Sequence, residues 1–565
     1  MIKKRLSFLK KKLNLLGIHG YVIPKNDEFF SEYSRKDRLK IISNFSGSAG
    51  YAIVLKKKNY LFVDGRYTIQ AKIESGNNFI IKKIKEIIDC KLFKNITLGI
   101  DPKIFTNKEI KNFFLKNNKI KEINSNLIDQ IFNKYTKHTK PFYSLNDKIT
   151  GENYKKKIEK VSKILLKVKA DYLLISAPEN IAWLLNIRGY DNPNSPLPHC
   201  RLLLKKDKNF FILCDKSKVK NLIKEKKVTN KQIINPKNIS NLLNKIKKGK
   251  FIVDDKTCSI FYKNSLIKKH KILKNDDPIY LLKSIKNKKE ITNMAKVHID
   301  DGVALTKFLY WIKESNKNRI TEIDAQNKLE KFRKKNKKYL FPSFNTIAGT
   351  GGNGAIIHYR ARKEHTKKIR KRDIFLCDSG GQYKYGTTDV TRTICFSKQP
   401  SSIKNIFTKV LKGHIAVVTS NLKTHYNGKS IDKRARKYLN ESGLDFEHGT
   451  GHGVGFFSNV HEGPQAISKL NTIKLCEGMV LSNEPGYYKK GKFGIRIENL
   501  IYVKKIKNNI FFENLTLVPI DKDLINFSLL NKLEKNYLFN YHLNIYVNLS
   551  KYLNKKERKW LASFI

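Results

Sequence analysis

The stretch from Asp378 to Glu498 constrains the chain more than any other, because it sets four carboxylates and several histidines among glycines and short β-branched runs. It reads CDSGGQYKYGTTDVTRT, then EHGTGHGVGFFSNVHEG, LSNEPGYY and FGIRIEN. The apolar run Phe375-Leu376-Cys377 ends in Asp378 and the pair Gly380-Gly381, and the chain resumes through Thr387 into Val390, Thr391, Thr393 and Ile394. That pattern predicts strand, turn and strand, with Asp378 and Asp389 on neighbouring strands. His448 and His452 are four apart, as on a helix face, but Gly449, Gly451 and Gly453 argue against a helix. A strand is expected instead, with residues 448, 450 and 452 on one face and the glycines leaving the other bare for close backbone approach. In Gly494-Ile-Arg-Ile-Glu498 the isoleucines alternate with Arg496 and Glu498, so arginine and glutamate point the same way. Each candidate ligand is expected to project from a strand.

The crowding dictates the chemistry. Four carboxylates in one small cavity raise one another's pKa until some are neutral, unless cations cancel the charge. Two divalent ions would do so, and an oxygen-rich set with one imidazole favours manganese or cobalt over a thiolate-type zinc site. Two ions a short distance apart hold a bridging hydroxide, the nucleophile of metal-assisted hydrolysis.

DxG followed by DxTR, then GHGVG, NEPG and RIEN, in this order and spacing, resemble the five metal-ligand segments of the pita-bread metallopeptidases. The chain resembles the long three-domain form of their aminopeptidase P (Xaa-Pro aminopeptidase) family. The resemblance implies Asp378, Asp389, His452, Glu484 and Glu498 as ligands, with Asp389 and Glu498 bridging two divalent ions. Manganese is the expected metal, with cobalt and zinc as alternatives. It also implies His358, His448 and His461 as non-ligand histidines of the site. A tetrahedral oxyanion and a departing amine need proton or hydrogen-bond partners near neutral pH, which imidazole supplies. Glu484 is expected to accept the proton of the attacking hydroxide, and Arg496 to orient a carboxylate or meet the substrate carbonyl. His358 and His461, with Arg66 and Arg496, are the expected substrate contacts. The substrate implied is a peptide with proline at its second position. Proline lacks an amide N–H, so its site recognises it by shape and ring packing, for which Tyr487 and Tyr488 are candidates.

Ahead of this stretch the chain reads as two tandem α/β units. A basic amphipathic helix leads into strands at Gly20–Pro24, Ala52–Leu55 and Tyr60–Val63. SEYSRKDRLKIISNFSGSAGYAIVL and LFVDGRYTIQA resemble the creatinase-type N-terminal domain, which implies Arg66 as peptide-binding; the competing role is an ion pair with Asp64. A lysine- and asparagine-rich stretch near residues 136–152 reads as a linker. The second unit opens with the strand Tyr172–Ile175, and PENIAWLLNIRGYDNPNSPLP resembles the family's middle domain, with an ordered loop from Asp191 and structural roles for Arg188 and His199. Two units of similar size suggest a duplication, though no residue-level repeat establishes it. A long helix begins near Ser284, with His298 as a packing residue. The glycine run in FPSFNTIAGTGGNGAIIHYR lacks the ending of a phosphate loop and reads as a loop into a strand at Ala355–Tyr359. The continuation HYRARKEHTKKI departs from the apolar, proline-containing one common in the family. Residues after 520 resemble the C-terminal extension of the long form. The expected fold class is α/β (α+β): creatinase-type α/β domains at 1–135 and 150–284, a pita-bread catalytic domain at 285–520, and the extension at 521–565.

Charge is the remaining loud feature. Lys+Arg 114 against Asp+Glu 49 gives a net charge of +65. The basic residues are mostly lysine and run the whole length, whereas a nucleic-acid surface concentrates charge on one patch, so no specific nucleic-acid partner is expected. The seven cysteines are dispersed, from Cys90 to Cys476, without a CxxC pair, which fits reduced thiols. No stretch approaches the roughly 20 apolar residues of a membrane span. A cytoplasmic enzyme with no membrane partner is expected, and the resemblance implies a homodimer. The alternatives are a prolidase acting on Xaa-Pro dipeptides, which shares all five ligands, and a non-catalytic pita-bread binding module, which lacks them. Methionine aminopeptidase needs no such N-terminal half, and creatinase lacks the metal ligands.

Overall fold

The computed structural model describes residues 2–88, 93–115, 117–132, 139–315, 320–363 and 365–565. Cys90 lies outside them; Cys377 is a buried core residue, as its strand position predicts. The chain divides into two compact units, Met1–Asn146 with Glu152–Ile279, and Asp147–Gly151 with Tyr280–Ile565.

The first unit holds two six-stranded sheets. In the first, β1 (Gly20–Pro24), β2 (Gly50–Leu55), β3 (Asn59–Val63), β4 (Ile80–Lys83), β5 (Thr97–Ile100) and β6 (Lys119–Glu122) lie in the order β4-β3-β2-β1-β5-β6. In the second, β7 (Tyr172–Ile175), β8 (Arg201–Lys205), β9 (Phe210–Leu213), β10 (Ile233–Ile234), β11 (Lys250–Val253) and β12 (Lys271–Lys274) lie in the order β10-β9-β8-β7-β11-β12. The sense matches at every step. The central pairs β1/β2, β2/β3, β7/β8 and β8/β9 are antiparallel, and every other pair in both sheets is parallel. The second sheet thus repeats the first strand for strand, although the residues do not. Both central strands, β1 and β7, are buried along their whole length, which is why they read as continuous apolar runs rather than alternating ones.

Polar residues of this unit hold its loops. His199 stacks on Phe29 with ring centroids 4.5 Å apart, and the buried Arg188 guanidinium donates to the carbonyls of Ala182 (3.0 Å) and Ile187 (2.9 Å). Asn192 Oδ1 accepts from the amides of Asn194 and Ser195, which orders the loop after Asp191. Arg66 lies in the single turn Gly65–Tyr67, and its side chain is outside the described residues.

The described part of the expected linker is structured. Tyr143–Ser144 pairs with Ile187–Arg188, and Asp147–Thr150 forms one helical turn that belongs to the second unit. There the carbonyls of Ile149 and Thr150 accept from the side chains of Asn293 and Asn287 (3.0 and 2.7 Å), so they dock on the start of the long helix Lys288–Glu314.

That helix starts at a capping box, with Asn287 and Glu290 satisfying each other's backbone amides. His298 is buried on it, with Nδ1 2.7 Å from the Met294 carbonyl. The site-bearing strands are β13 (Ile374–Ser379), β14 (Val390–Cys395), β15 (Gly451–Gly453), β16 (Val480–Asn483), β17 (Phe493–Arg496) and β18 (Asn499–Ile506). β13 and β14 pair antiparallel, and β15, β16 and β18 lie side by side in a second sheet. Leu538, Tyr541, Ile545 and Leu549 of the C-terminal helix Lys532–Leu549 share a core with Phe407, Val410, Ile495 and Ile497, so the last segment is built into this unit.

The strand expected at Ala355–Tyr359 is absent. Gly351–Ala355 is a 3-10 helix followed by a turn. The buried Glu322 carboxylate gathers the amides of Thr350 and Lys367, the Asn353 side chain and the Tyr359 hydroxyl, and so curls the segment that an extended strand would carry away. Among the described residues no helix is long and apolar enough to cross a membrane.

Candidate metal centre

The register of β13 and β14 pairs Asp378 with Thr391. Residues two apart share a face, so Asp389, just before β14, lies on the same side as Asp378. Both aspartates are buried. His452 sits in the middle of β15, with Nδ1 3.0 Å from the Gly453 carbonyl and Nε2 3.5 Å from Asp389 Oδ2 and 3.5 Å from Glu484 Oε1. That bond fixes Nδ1 as the protonated nitrogen and leaves Nε2 to face the carboxylates. Glu484 follows β16; its amide donates to the Thr450 carbonyl (2.7 Å) and Ser482 Oγ donates to its carboxylate (3.2 Å). Glu498 lies between β17 and β18. Its amide donates to the Thr391 carbonyl at 3.1 Å, and its carboxylate accepts from Thr391 Oγ1 at 2.7 Å. Ligand atoms of Asp389, His452 and Glu498 lie within 4.8 Å of one another. Asp389, Glu484 and Glu498 thus sit at strand ends rather than within strands, where the chain turns toward a common point.

The glycines of GHG are there for closeness. A Cβ on Gly451 would stand 1.9 Å from the Ser482 carbonyl oxygen, and one on Gly453 would stand 2.4 Å from that of Glu462. The shared face expected for residues 448, 450 and 452 is not formed, because β15 begins only at Gly451. Thr450 instead donates from its hydroxyl to the buried Asp432 (2.6 Å), away from His452. His448 lies outside the strand, half-buried, with Nε2 2.8 Å from the Tyr488 hydroxyl.

Arg496 and Glu498 do point the same way, since both meet the Thr391 hydroxyl. The buried Arg496 guanidinium also donates to Asp378 Oδ2 (2.5 Å) and to the Tyr488 hydroxyl (2.7 Å), which links His448 through Tyr488 and Arg496 to Asp378. The exposed His461 stands with its ring 4.3 Å from that of His452. His358 lies half-buried in the turn after Gly351–Ala355. Tyr487 packs against the core beside Ile495.

Thr391, Ser482 and Arg392 were not singled out by the sequence, although period-two counting from Asp389 reaches Thr391. Arg392 points to the opposite face and is fully buried. It donates to the carbonyls of Thr391, Glu498, Pro519 and Val518 and to Asn499 Oδ1, fixing the back of the ligand segments.

Electrostatically the cluster is overcrowded. Burial pushes the Asp378 carboxyl up to about 7, with Asp389 and Glu484 adding to the shift and Arg496 opposing it. Burial, then Asp389, Glu484 and Asp378, raise Glu498 well above the usual carboxylate range, and burial raises Glu484 against the pull of His452 and Arg496. Asp378 Oδ1 is buried and has no hydrogen-bond partner among the described residues. An acid-rich cluster, an orphaned carboxylate oxygen and an imidazole nitrogen turned toward it together fit cations as the missing partners.

Residues 292–505 match the model of metallopeptidase family M24, residues 133–290 that of the creatinase/prolidase N-terminal domain, and residues 509–563 that of the C-terminal region of the M24 peptidases. A probable Xaa-Pro aminopeptidase P of Laccaria bicolor is 35% identical, covering 99% of this chain and 92% of its own length. Xaa-Pro aminopeptidase 1 of Dictyostelium discoideum is 35% identical, covering 100% and 96%. Among solved structures, the X-prolyl aminopeptidase of Caenorhabditis elegans, described as a cytosolic enzyme with a di-nuclear active site, superposes with a TM-score of 0.91 at 29% identity, over 100% of this chain and 99% of that one. A prolidase of Thermococcus sibiricus reaches a TM-score of 0.54 at 26% identity and covers 65% of this chain and 98% of its own. With the family models covering most of residues 133–563 and relatives 35% identical along the full length, the chain belongs to the Xaa-Pro aminopeptidases of metallopeptidase family M24.

Proposed function

We infer that this chain is a metal-dependent aminopeptidase that hydrolyses the peptide bond between an N-terminal residue and a following proline. The observation that carries the reading is the convergence of Asp378, Asp389, His452, Glu484 and Glu498 in a chain matched end to end by Xaa-Pro aminopeptidases. These five residues would hold two divalent ions, with Asp389 and Glu498 as the shared ligands and manganese as the metal. Bound there, the ions supply Lewis-acid polarisation of the scissile carbonyl and a nucleophile at neutral pH.

The chain's own residues do the rest. Glu484, raised by burial, accepts a proton at its carboxylate from the attacking water. Arg496 keeps Asp378 turned into the cluster through the bond to Oδ2 and steadies the substrate carbonyl. His461, beside His452, and His358 contact the peptide and pass a proton to the leaving nitrogen, which carries no N–H in an Xaa-Pro bond. His448 acts through the Tyr488 hydroxyl. Arg66 binds the peptide. The functional organisation is two creatinase-type domains at 1–135 and 150–284, a catalytic domain at 285–520 and an extension at 521–565. The active form is a cytoplasmic homodimer, in line with the cytosolic worm relative.

A prolidase shares the ligands, but the prolidase structure spans only 65% of this chain. The test is a dialysed enzyme assayed on an Xaa-Pro-Xaa tripeptide and an Xaa-Pro dipeptide with Mn²⁺, Co²⁺ or Zn²⁺ restored. Tripeptide cleavage restored by Mn²⁺ is expected, and cleavage of the dipeptide alone would overturn the reading in favour of a prolidase.

A further inference from the structure

Asp378 and Asp389 sit on either side of a hairpin whose first ladder ends at Ser379 with Val390 and whose pairing resumes at Gln382 with Thr387. Asp389 lies in the gap between the two ladders and is a rung of neither. A single buried ion pair holds the residues next to both aspartates. Arg333, on the helix Glu322–Lys334, donates from Nε to Asp301 Oδ1 (2.8 Å), and Asp301 lies on the helix Lys288–Glu314. Arg333 also donates to Ser379 Oγ (3.1 Å) and to the Gly380 carbonyl (3.4 Å), directly after Asp378. Asp301 accepts from the Thr388 hydroxyl (2.7 Å), directly before Asp389, and from the Tyr383 hydroxyl (2.7 Å) at the hairpin's far end. The Thr388 hydroxyl in turn accepts from the Gly381 amide at 2.9 Å, closing the hairpin across its base. Gly380 leaves no slack, because a Cβ there would stand 2.1 Å from the Thr388 carbonyl oxygen. Asp301, Arg333, Ser379, Tyr383 and Thr388 are all buried.

We infer that Asp301 and Arg333 are positioning residues that set the separation of Asp378 and Asp389. They touch neither substrate nor ligand carboxylate. They act by tying the chain immediately after one aspartate and immediately before the other to one rigid pair spanning two helices. Outer partners of this kind orient ligands and are typically worth about 10–100-fold in metal affinity or activity. The inference rests on the metal-centre reading above.

The test replaces the pair by apolar residues of similar size, Asp301→Leu with Arg333→Met, in the full chain, since exchanging both partners of a buried ion pair is often neutral for stability. Circular dichroism reports the fold, and calorimetric titration of the dialysed protein with Mn²⁺ reports the affinity. The expected result is a folded protein that binds Mn²⁺ about 10–100-fold more weakly, with kcat recovering at excess Mn²⁺. A folded variant with wild-type Mn²⁺ affinity overturns the inference, because a purely structural pair would lower the melting temperature and leave affinity alone. Should the double variant fail to fold, Thr388→Val decides. It removes one grip while leaving the ion pair in place, and unchanged affinity there overturns the inference too. Asp389→Ala, run in parallel, separates the two readings. If it keeps Mn²⁺ binding the metal centre itself is wrong, and if only the clamp variants bind normally the clamp alone is wrong.

Discussion

Two buried ionic clusters of the second unit are out of balance in opposite directions. At the candidate metal centre Asp378, Asp389, Glu484 and Glu498 face one arginine, and a carboxylate oxygen of Asp378 is left without a protein donor among the described residues. Elsewhere Lys283 and Lys286 share one carboxylate, that of Glu462: Lys283 Nζ is 2.9 Å from Oε2, and Lys286 Nζ meets Oε1 and the Ser284 carbonyl. Burial pulls the Lys286 ammonium pKa down, with Glu462 opposing, and the two lysines hold the Glu462 carboxyl below its usual range against burial. In the lysine cluster the protein supplies its own counter-charge, and the result is a joint between the segment before the long helix and the strand after His461. At the acidic cluster the protein withholds counter-charge, and burial pushes the Asp378, Glu484 and Glu498 carboxyls upward. The difference separates a place that is finished from one that is completed from outside.

Removing one carboxylate from each cluster should break the comparison apart most sharply. Asp389→Ala is expected to lose about a thousandfold in kcat/KM, or ~4 kcal/mol of the several that bound ions supply in the transition state. The same change should leave the melting temperature of the metal-free protein equal or higher, since it relieves repulsion. Steady-state kinetics with excess Mn²⁺ and a melt in chelator measure the two; a lower metal-free melting temperature would mean that the acids are already balanced. Glu462→Ala should do the reverse. It strands two buried lysines, and breaking such a pair costs about 3–5 kcal/mol of stability. Urea unfolding at neutral pH measures this, and a loss below about 1 kcal/mol would class the joint with exposed ion pairs.

A smaller effect tests the link between strands. Thr391→Val removes the hydroxyl that donates to Glu498 and accepts from Arg496 while keeping the β-branched shape. Mn²⁺ affinity by calorimetry should fall about tenfold, the low end for an outer partner of a metal ligand. Unchanged affinity would show that backbone pairing alone holds Glu498 in place.

The two clusters were unequally legible in the sequence. The acidic one could be read because strand parity and short spacings place Asp378, Asp389 and Glu498 from local pattern alone, and because carboxylates among glycines are conspicuous. The same parity reaches Thr391 and sets Arg392 on the opposite face, and neither was given a role because a threonine and an arginine carry no metal chemistry by themselves. Parity failed at His448 and Thr450, where the buried Asp432, on a helix well upstream, captures the threonine and delays the strand to Gly451. It failed again at Ala355–Tyr359, where Glu322 gathers the backbone into a coil from about thirty residues away in sequence. The lysine joint was unreadable for another reason. Among 114 Lys and Arg residues nothing marks Lys283 and Lys286 as buried until the fold brings Glu462 to them. Of the duplicated sheets the strands were legible, since β1 and β7 are continuous apolar runs, but the matching strand order depends on crossovers that no local pattern encodes.

The smallest effect expected is in the pH dependence, and its sign belongs to the lysine joint alone. A carboxyl whose folded pKa lies below its unfolded value binds fewer protons in the native state, so its stabilisation is present above the unfolded pKa and is lost as pH falls. For Glu462 that loss begins near its ordinary value of 4.5 and continues through its lowered folded value. Glu462→Gln keeps the shape and removes the titration, so the variant should be less stable at neutral pH and should lose less further stability below about pH 4.5. A single titrating group contributes a slope of at most about 1.4 kcal/mol per pH unit, which urea unfolding at stepped pH resolves. Parallel acid limbs in the two proteins would mean that Glu462 keeps the same proton affinity folded and unfolded, and the lysines would then be bystanders rather than its counter-charge.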